Sequence, residues 1–292
     1  LSATRVQSHL SPAGAYQERF NGVTAYRALK QTALDYQNEE ESLLIMLEQM
    51  AAILLNRTNL IISFTGEAQE IERFKSVGAT IVDSLAETKP AAQPQPQTDF
   101  ARSEAFITAA EIVFAVQGGT LFDSPASYNG SFEVLKTYLS RDYLWNNVRQ
   151  IGGAYGCFIQ FSPITGNMTM ISYRDPQVRK TFNTYDQVPL AVSRIELSKA
   201  ALDQLVIGTY GNFDPHQSAA AKAVTARNEF LCNITAEQKQ QRLKEISSTT
   251  VEDLRSFADR LEAMTRDCYR AIIGNRAKIE ADGDLFEVIS DL

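Results

Sequence analysis

"YLWNNVRQIGGAYG", Tyr143 to Gly156, changes character in its middle. The run leading into it, Asn129 to Gln150, reads as one long helix or two joined helices. Its apolar positions include Phe132, Leu135, Tyr138, Leu139, Leu144 and Val148. After Gly152 and Gly153 the period shifts to two. "AYGCFIQFS" alternates, "PITG" supplies a turn, and "NMTMISYRD" returns, which predicts a β-hairpin. A helix that passes through a glycine hinge into a hairpin is the mark of an α+β domain. The hinge is flanked, six residues apart, by Arg149 and Tyr155. Taken singly, Arg149 reads as a helix C-terminal cation, Tyr155 as a half-buried strand aromatic, and the glycines as a C-cap. Taken together, they suit the holding of an extended peptide. Glycines admit a second backbone, arginine offers a permanent charge with several donors, and a phenol can donate to a carbonyl oxygen that gains charge. None of these groups can activate water.

Outward from the hairpin, "AEIVFAVQGG" (Ala110 to Gly119) predicts a strand before the helix. Pro176 predicts the first turn of a helix after it. Ser198 caps "KAALDQLVIGTYG", and Thr235 with Gln238 has capping-box spacing. "TVEDLRSFADRLEAMTRD" continues the helices, with Glu252 and Asp253 as first-turn charges. "YRAIIG" and "LFEVIS" read as short strands near the end. Residues 101–292 therefore predict a two-layer sandwich, an antiparallel-rich sheet covered by helices. Residues 1–20 read as an irregular or strand-like lead-in. Two helices follow, the second from about Asn38 to Leu55, then "TNLIISFTG" (Thr58 to Gly66) as a buried strand and "EAQEIERFKSVGA" as a further helix. Between these parts, "ETKPAAQPQPQTDF" has three prolines that neither a helix nor a central strand accepts. The expected division is 1–88, a linker at 89–100, and 101–292.

Composition narrows the function. Of 292 residues 44% are hydrophobic, enough for one large or two medium cores, and the net charge of −7 with no basic cluster argues against nucleic acid. No apolar run is long enough to span a membrane. Cys157, Cys232 and Cys268 form no C-x-x-C pair and read as reduced, mostly buried thiols of a reducing compartment, with Cys157 a core thiol unless it lines a chamber. The histidines, His9 and His216, begin no H-E-x-x-H or H-x-x-E-H pair and read as surface or capping residues. No metal site is expected in this chain. It begins without methionine and is expected to be a piece of a longer polypeptide, whose exposed apolar edges would favour self-association.

"YLWNNVRQIGGAYG" resembles a motif in the C-terminal half of the presequence proteases, the single-chain branch of the pitrilysin (insulinase) zinc metallopeptidases that also includes falcilysin. "ISYRDP" (Ile171 to Pro176), "IGTYGNFDPHQSAAAKA" (Ile207 to Ala223) and "LSPAGAYQERFNGVTAYRAL" (Leu10 to Leu29) are similar to further segments of that half. The resemblance implies four homologous LuxS/MPP-like domains closing around a chamber. Residues 1–88 would end the third and 101–292 would form the fourth. It places the zinc, held by H-x-x-E-H, in an N-terminal half of the same polypeptide. It implies that Tyr155 stabilises the oxyanion, that Arg149 anchors the substrate backbone, and that Gly152 and Gly153 border the substrate. The substrates would be unstructured peptides, and the isolated chain would be inactive. The alternative is a non-catalytic peptide-binding or partner subunit of the same fold.

Overall fold

Six strands form one sheet in the computed structural model, which describes residues 1–87, 98–213 and 215–292. They are β1 (Ser103–Thr108), β2 (Val113–Thr120), β3 (Gly156–Phe161), β4 (Asn167–Tyr173), β5 (Tyr269–Asn275) and β6 (Val288–Asp291), in the order β3-β4-β2-β5-β1-β6. Pairing is antiparallel from β3 through β4 and β2 to β5, and parallel from β5 through β1 to β6. The predicted hairpin is β3–β4, and the two late strands are β5 and β6. Strand β1 was not expected. Its sequence, SEAFIT, is short and carries a glutamate.

The sheet belongs to a unit made of residues 1–27, 96–214 and 236–292. Its helices are α1 (Ser2–Leu10), α2 (Pro12–Asn21) and the start of α3 (Val23–Leu34) on the N-terminal side. Then come α6 (Ser131–Tyr138), α7 (Arg179–Asp186), α8 (Val188–Ser193) and α9 (Lys199–Phe213), and finally α11 (Ala236–Ser247), α12 (Val251–Ser256), α13 (Ala258–Arg266) and α14 (Arg276–Ala281). The alternation of each strand sends one set of side chains into the main core. Val113, Ala115, Met168, Met170 and Ile272 meet Phe132, Leu135 and Leu139 there, with Phe182, Tyr185, Ile246 and Leu261. Val116, Ile171 and Ala271 point to the other face and pack with Val6 of α1. The fold is α+β, with helices on one face and α1 on part of the other.

Residues 1–20 are helical, not strand-like. Ser11 caps α2 by accepting from the Gly14 N–H at 3.1 Å, and Pro12 fills the first turn. The polar α1 sits on the sheet because its arginine is neutralised there. Arg5, 3% exposed, lies 3.2 Å from Glu18 and 3.4 Å from Glu104, and its guanidinium carbon is 3.6 Å above the Phe100 ring. That pairing also lets β1 carry a glutamate into the interior. The helix expected at Pro176 starts at Arg179. Asp175 first pairs with the Val113 backbone and accepts from the Gln177 N–H at 2.8 Å, which holds residues 175–177 out of helical conformation. The Ser198 cap is present, and Thr250 with Asp253 forms a capping box.

The second unit comprises residues 28–95 and 215–235, with α4 (Tyr36–Leu54), α5 (Ala68–Ser84) and α10 (Ala219–Leu231). The strand expected at Thr58 to Gly66 is absent. Among the described residues this stretch has no ladder partner, and Ile61 and Phe64 are exposed. A strand needs a neighbour to satisfy its backbone; the one bridge nearby joins Asn56 to Ala86. Helix α4 buries none of its residues, and Leu44, Leu47 and Met50 are at least half exposed. Most of the expected linker, residues 89–97, lies outside the described residues.

Candidate functional site

Helix α6 does not end at Tyr138. The chain goes on to Gln150 in a wider winding, in which the Leu144 N–H donates to Leu139 O and the Ile151 N–H to Asn146 O, each five residues back. Such π-type turns are rare, mostly single turns within α-helices, and recur at functional sites. Here the cause is visible in the sequence. Leu139 and Leu144, five residues apart, are both fully buried, as is Val148 to 99%. An α-helical period would have turned one of them outward. The winding closes where the Gly153 N–H donates to Arg149 O at 2.9 Å and the Ala154 N–H to Val148 O at 3.1 Å. Gly153 has φ +86°, the left-handed region that glycine enters without strain. At Gly152 an added Cβ would lie 2.4 Å from Val148 O. The pair of glycines is thus what allows the helix to stop and β3 to begin at once.

Opposite this hinge, β4 contains an extra residue. Val116 faces Ile171, but three residues earlier Val113 pairs with Asp175, four residues further on. The mismatch is a β-bulge. It is accompanied by Arg174 at φ 50°, a left-handed backbone for a residue with a side chain. The Arg174 carbonyl accepts the Tyr155 N–H at 3.2 Å, so hinge and bulge are tied together.

Between them lies an open groove of about 700 Å³ lined by Trp145, Arg149, Gly153, Tyr155 and Arg174, among others. Arg149 and Tyr155, singled out in the sequence, therefore share one surface. The Arg149 guanidinium stacks 3.9 Å from the Trp145 ring centre and lies 5.9 Å from that of Tyr155. Trp145 is one turn before Arg149 on the same winding, so the stack restricts a long side chain that would otherwise roam. Tyr155 is 59% exposed, its ring edge-on to Tyr173 at 5.6 Å. Its hydroxyl has no partner among the described residues. Gly153 lines the groove, while Gly152 stands behind it at the helix end. Trp145 and Arg174 were not anticipated from the sequence. The spacing Trp145 to Arg149, i to i+4 on a helix, was a usable signal for the first. Nothing in "ISYRDP" announces a bulge.

Beneath the groove the chemistry is quiet. Cys157 is buried in the core, and burial, followed by the charge of Asp175, pushes its thiol up to about 11 against the opposing pull of Arg149. A thiol held protonated in this way is a poor nucleophile. Asp175 is fully buried and holds the start of α7 through the Thr181 hydroxyl at 2.8 Å. Of the other thiols Cys268 is half-buried, and Cys232 differs from expectation in being exposed. So does His9, which stacks on Tyr269 at 4.2 Å. Among the described residues no group of three or more His, Cys, Asp and Glu is placed to hold a metal ion. No described helix is long and apolar enough to cross a membrane.

Comparison with known proteins gives the fold its class. The chain superposes on a protease from Helicobacter pylori with a TM-score of 0.51 at 13% identity, covering 72% of this chain and 53% of that one. It superposes on pitrilysin with a TM-score of 0.50 at 12% identity, covering 77% of this chain and 25% of that one. The architecture is that of a pitrilysin-type peptidase domain. In sequence, the chain is 27% identical over its full 292 residues to Protein HypA of Clostridium perfringens (strain 13 / Type A), of which it covers 30%. It is 25% identical over 282 residues, 96% of its length, to Presequence protease 1, chloroplastic/mitochondrial, of Arabidopsis thaliana, of which it covers 26%. The profile of the PreP C-terminal domain matches residues 103–276, and the chain belongs to that family. It spans less than a third of the length of these two relatives.

Proposed function

We propose that this chain is the substrate-holding part of a zinc metalloendopeptidase that degrades unstructured peptides. The observation that carries the reading is the convergence of Arg149 and Tyr155 in one open groove. Their donors are unspent, and among the described residues no acid, histidine or metal ligand lines the groove beside them. The exposed Tyr155 hydroxyl donates to the scissile carbonyl oxygen and gains strength as that oxygen becomes negative. Arg149, braced on Trp145, donates to a neighbouring carbonyl of the substrate backbone and fixes its register. The glycine hinge keeps the groove shallow at Gly153, so an extended backbone can approach. Zinc chemistry would come from a metal site outside this chain, in an N-terminal half of the same polypeptide. The isolated chain is then expected to bind peptide and not to cleave it.

The test is Tyr155→Phe in the polypeptide that joins this chain to a metal-bearing half. Losing one transition-state donor should lower kcat/KM on the order of 10²-fold with little change in KM. An unchanged kcat/KM would remove Tyr155 from the chemistry. A gene with no region encoding H-x-x-E-H and no metal-bearing partner chain would favour a peptide-binding subunit instead.

A further inference from the structure

We infer that Arg174 is a specificity-determining residue of the same groove and that it binds a carboxylate of the peptide held there. The inference rests on the substrate-holding reading above and adds a substrate class to it. Three observations meet at this residue. It occupies a bulge that puts one extra residue into β4 opposite β2. Its backbone is left-handed, at φ 50°, which costs a side-chain-bearing residue stability that glycine would not lose. Its guanidinium lines the Arg149–Tyr155 groove, 5.6 Å from the centre of the Tyr155 ring.

The backbone does not need an arginine here. What the fold uses is the Arg174 carbonyl, which accepts the Tyr155 N–H, and glycine would supply that bond with less strain. The bulge instead re-aims a side chain, as bulges beside sites do. The side chain it aims is an exposed cation with no acidic partner among the described residues. Its neighbour Asp175 is fully buried and committed to the Gln177 N–H and the Thr181 hydroxyl. Arg149 is likewise without a carboxylate partner. The groove therefore presents two guanidinium groups in a chain of net charge −7. Arg149 is restrained by Trp145 and is placed for the backbone. Arg174 is left for an anion, and its planar fork fits a carboxylate. That carboxylate is an acidic side chain near the scissile bond or the free C-terminus of the peptide.

The experiment is steady-state hydrolysis by the polypeptide that joins this chain to its metal-bearing half. The substrates are matched peptides differing in one Glu or Gln and in a free or amidated C-terminus. The original protein should favour one carboxylate-bearing peptide over its neutral counterpart by about 5- to 10-fold in KM, the scale of a charge-assisted contact in an open groove. A Glu preference assigns the side chain, and a free-C-terminus preference assigns the terminus. Arg174→Gly should abolish the preference while leaving the thermal midpoint equal or higher, since the left-handed backbone suits glycine. Arg174→Glu should transfer the preference to a Lys-bearing peptide. A preference that survives Arg174→Gly, or none in the original protein, overturns the assignment. Tyr155→Phe in the same series separates the two levels. If it lowers turnover of every peptide while Arg174→Gly changes no preference, only the role of Arg174 falls. If Tyr155→Phe changes nothing either, the substrate-holding reading falls as well.

Discussion

Mild acid should loosen α1 from the sheet through a single imidazole. His9 stacks on Tyr269 with centroids 4.2 Å apart and planes 13° from parallel, and Phe100 closes the site edge-on at 6.0 Å. Burial first, then the charges of Arg5 and Arg102, lowers its pKa from 6.5 to about 4, with Glu287 opposing. The unfolded chain therefore takes up this proton near pH 6.5 and the folded chain only near pH 4. Stability from neutral His9 is complete above 6.5 and is lost as pH falls toward 4. Carrying those two values through the linkage sets a ceiling of about 2 kcal/mol between pH 7.5 and pH 5, and solvent screening of a half-buried ring brings the expected loss to about 1 kcal/mol. His9→Phe keeps the ring and cannot take the proton. Trp145, the one tryptophan, lies in the same unit and reports its unfolding in urea. Carboxylates common to both proteins cancel in the difference. The stability of His9→Phe relative to the original protein should rise by about 1 kcal/mol on going from pH 7.5 to pH 5. A difference that stays constant across that range would show that His9 is not held neutral by its surroundings.

The buried charges around Arg5 give two further expectations. Glu18→Ala strips Arg5 of a partner at 3.2 Å and Thr24 of an acceptor, and should cost about 3–5 kcal/mol in urea unfolding; a cost under about 1 would refute a buried pair. Burial, outweighing Arg5, raises the pKa of Glu104, so its contribution is full below the ordinary glutamate range and is lost as pH rises through the folded value. Glu104→Gln should therefore match or exceed the original stability at pH 7.5, and a clear loss there would reverse the sign of the argument. At the hinge, a Cβ on Gly152 would meet Val148 O at 2.4 Å and Asn147 O at 3.0 Å, both backbone atoms that cannot swing away. Gly152→Ala should cost about 1–3 kcal/mol by thermal unfolding and displace Tyr155, and a native melting curve would contradict it.

The hairpin and the helix before it were legible because two periodicities change at one glycine pair. Arg149 and Tyr155, to which the resemblance pointed, converge in one groove, and that convergence is a fact of the fold. What stayed hidden has physical reasons. Residues 1–20 looked irregular because the polarity of α1 makes sense only against Glu18 and Glu104, and Glu104 is distant in sequence. Strand β1 was missed for the mirror-image reason, its glutamate being matched by Arg5. The false strand at Thr58 to Gly66 shows the converse. β-branched and apolar residues favour a pleated surface, but the described residues place no partner strand beside them. The π-type winding was present in the five-residue step from Leu139 to Leu144, unread because helices were measured against a fixed 3.6. Arg174 had no comparable signal, since a bulge is a property of two strands.

The seat of α1 is assembled from widely separated parts of the chain. Val6 packs on Val116, Ile171 and Ala271, so α1 waits for a strand that is made far later in the chain. At ordinary elongation speeds of roughly 5–20 residues per second, about 15–50 s separate the two. During that interval α1 and α2 carry Arg5 and Glu18 toward a surface that does not yet exist. The sheet in turn closes with β5 and β6, the two strands that lie parallel to β1 on either side of it, and they are slow to nucleate because β1 lies so far back. Synthesis of this unit is then a process in which α1 and β5, far apart along the chain, meet late. A pause or truncation before Ala271 would leave α1 without a docking site, whatever the state of the groove.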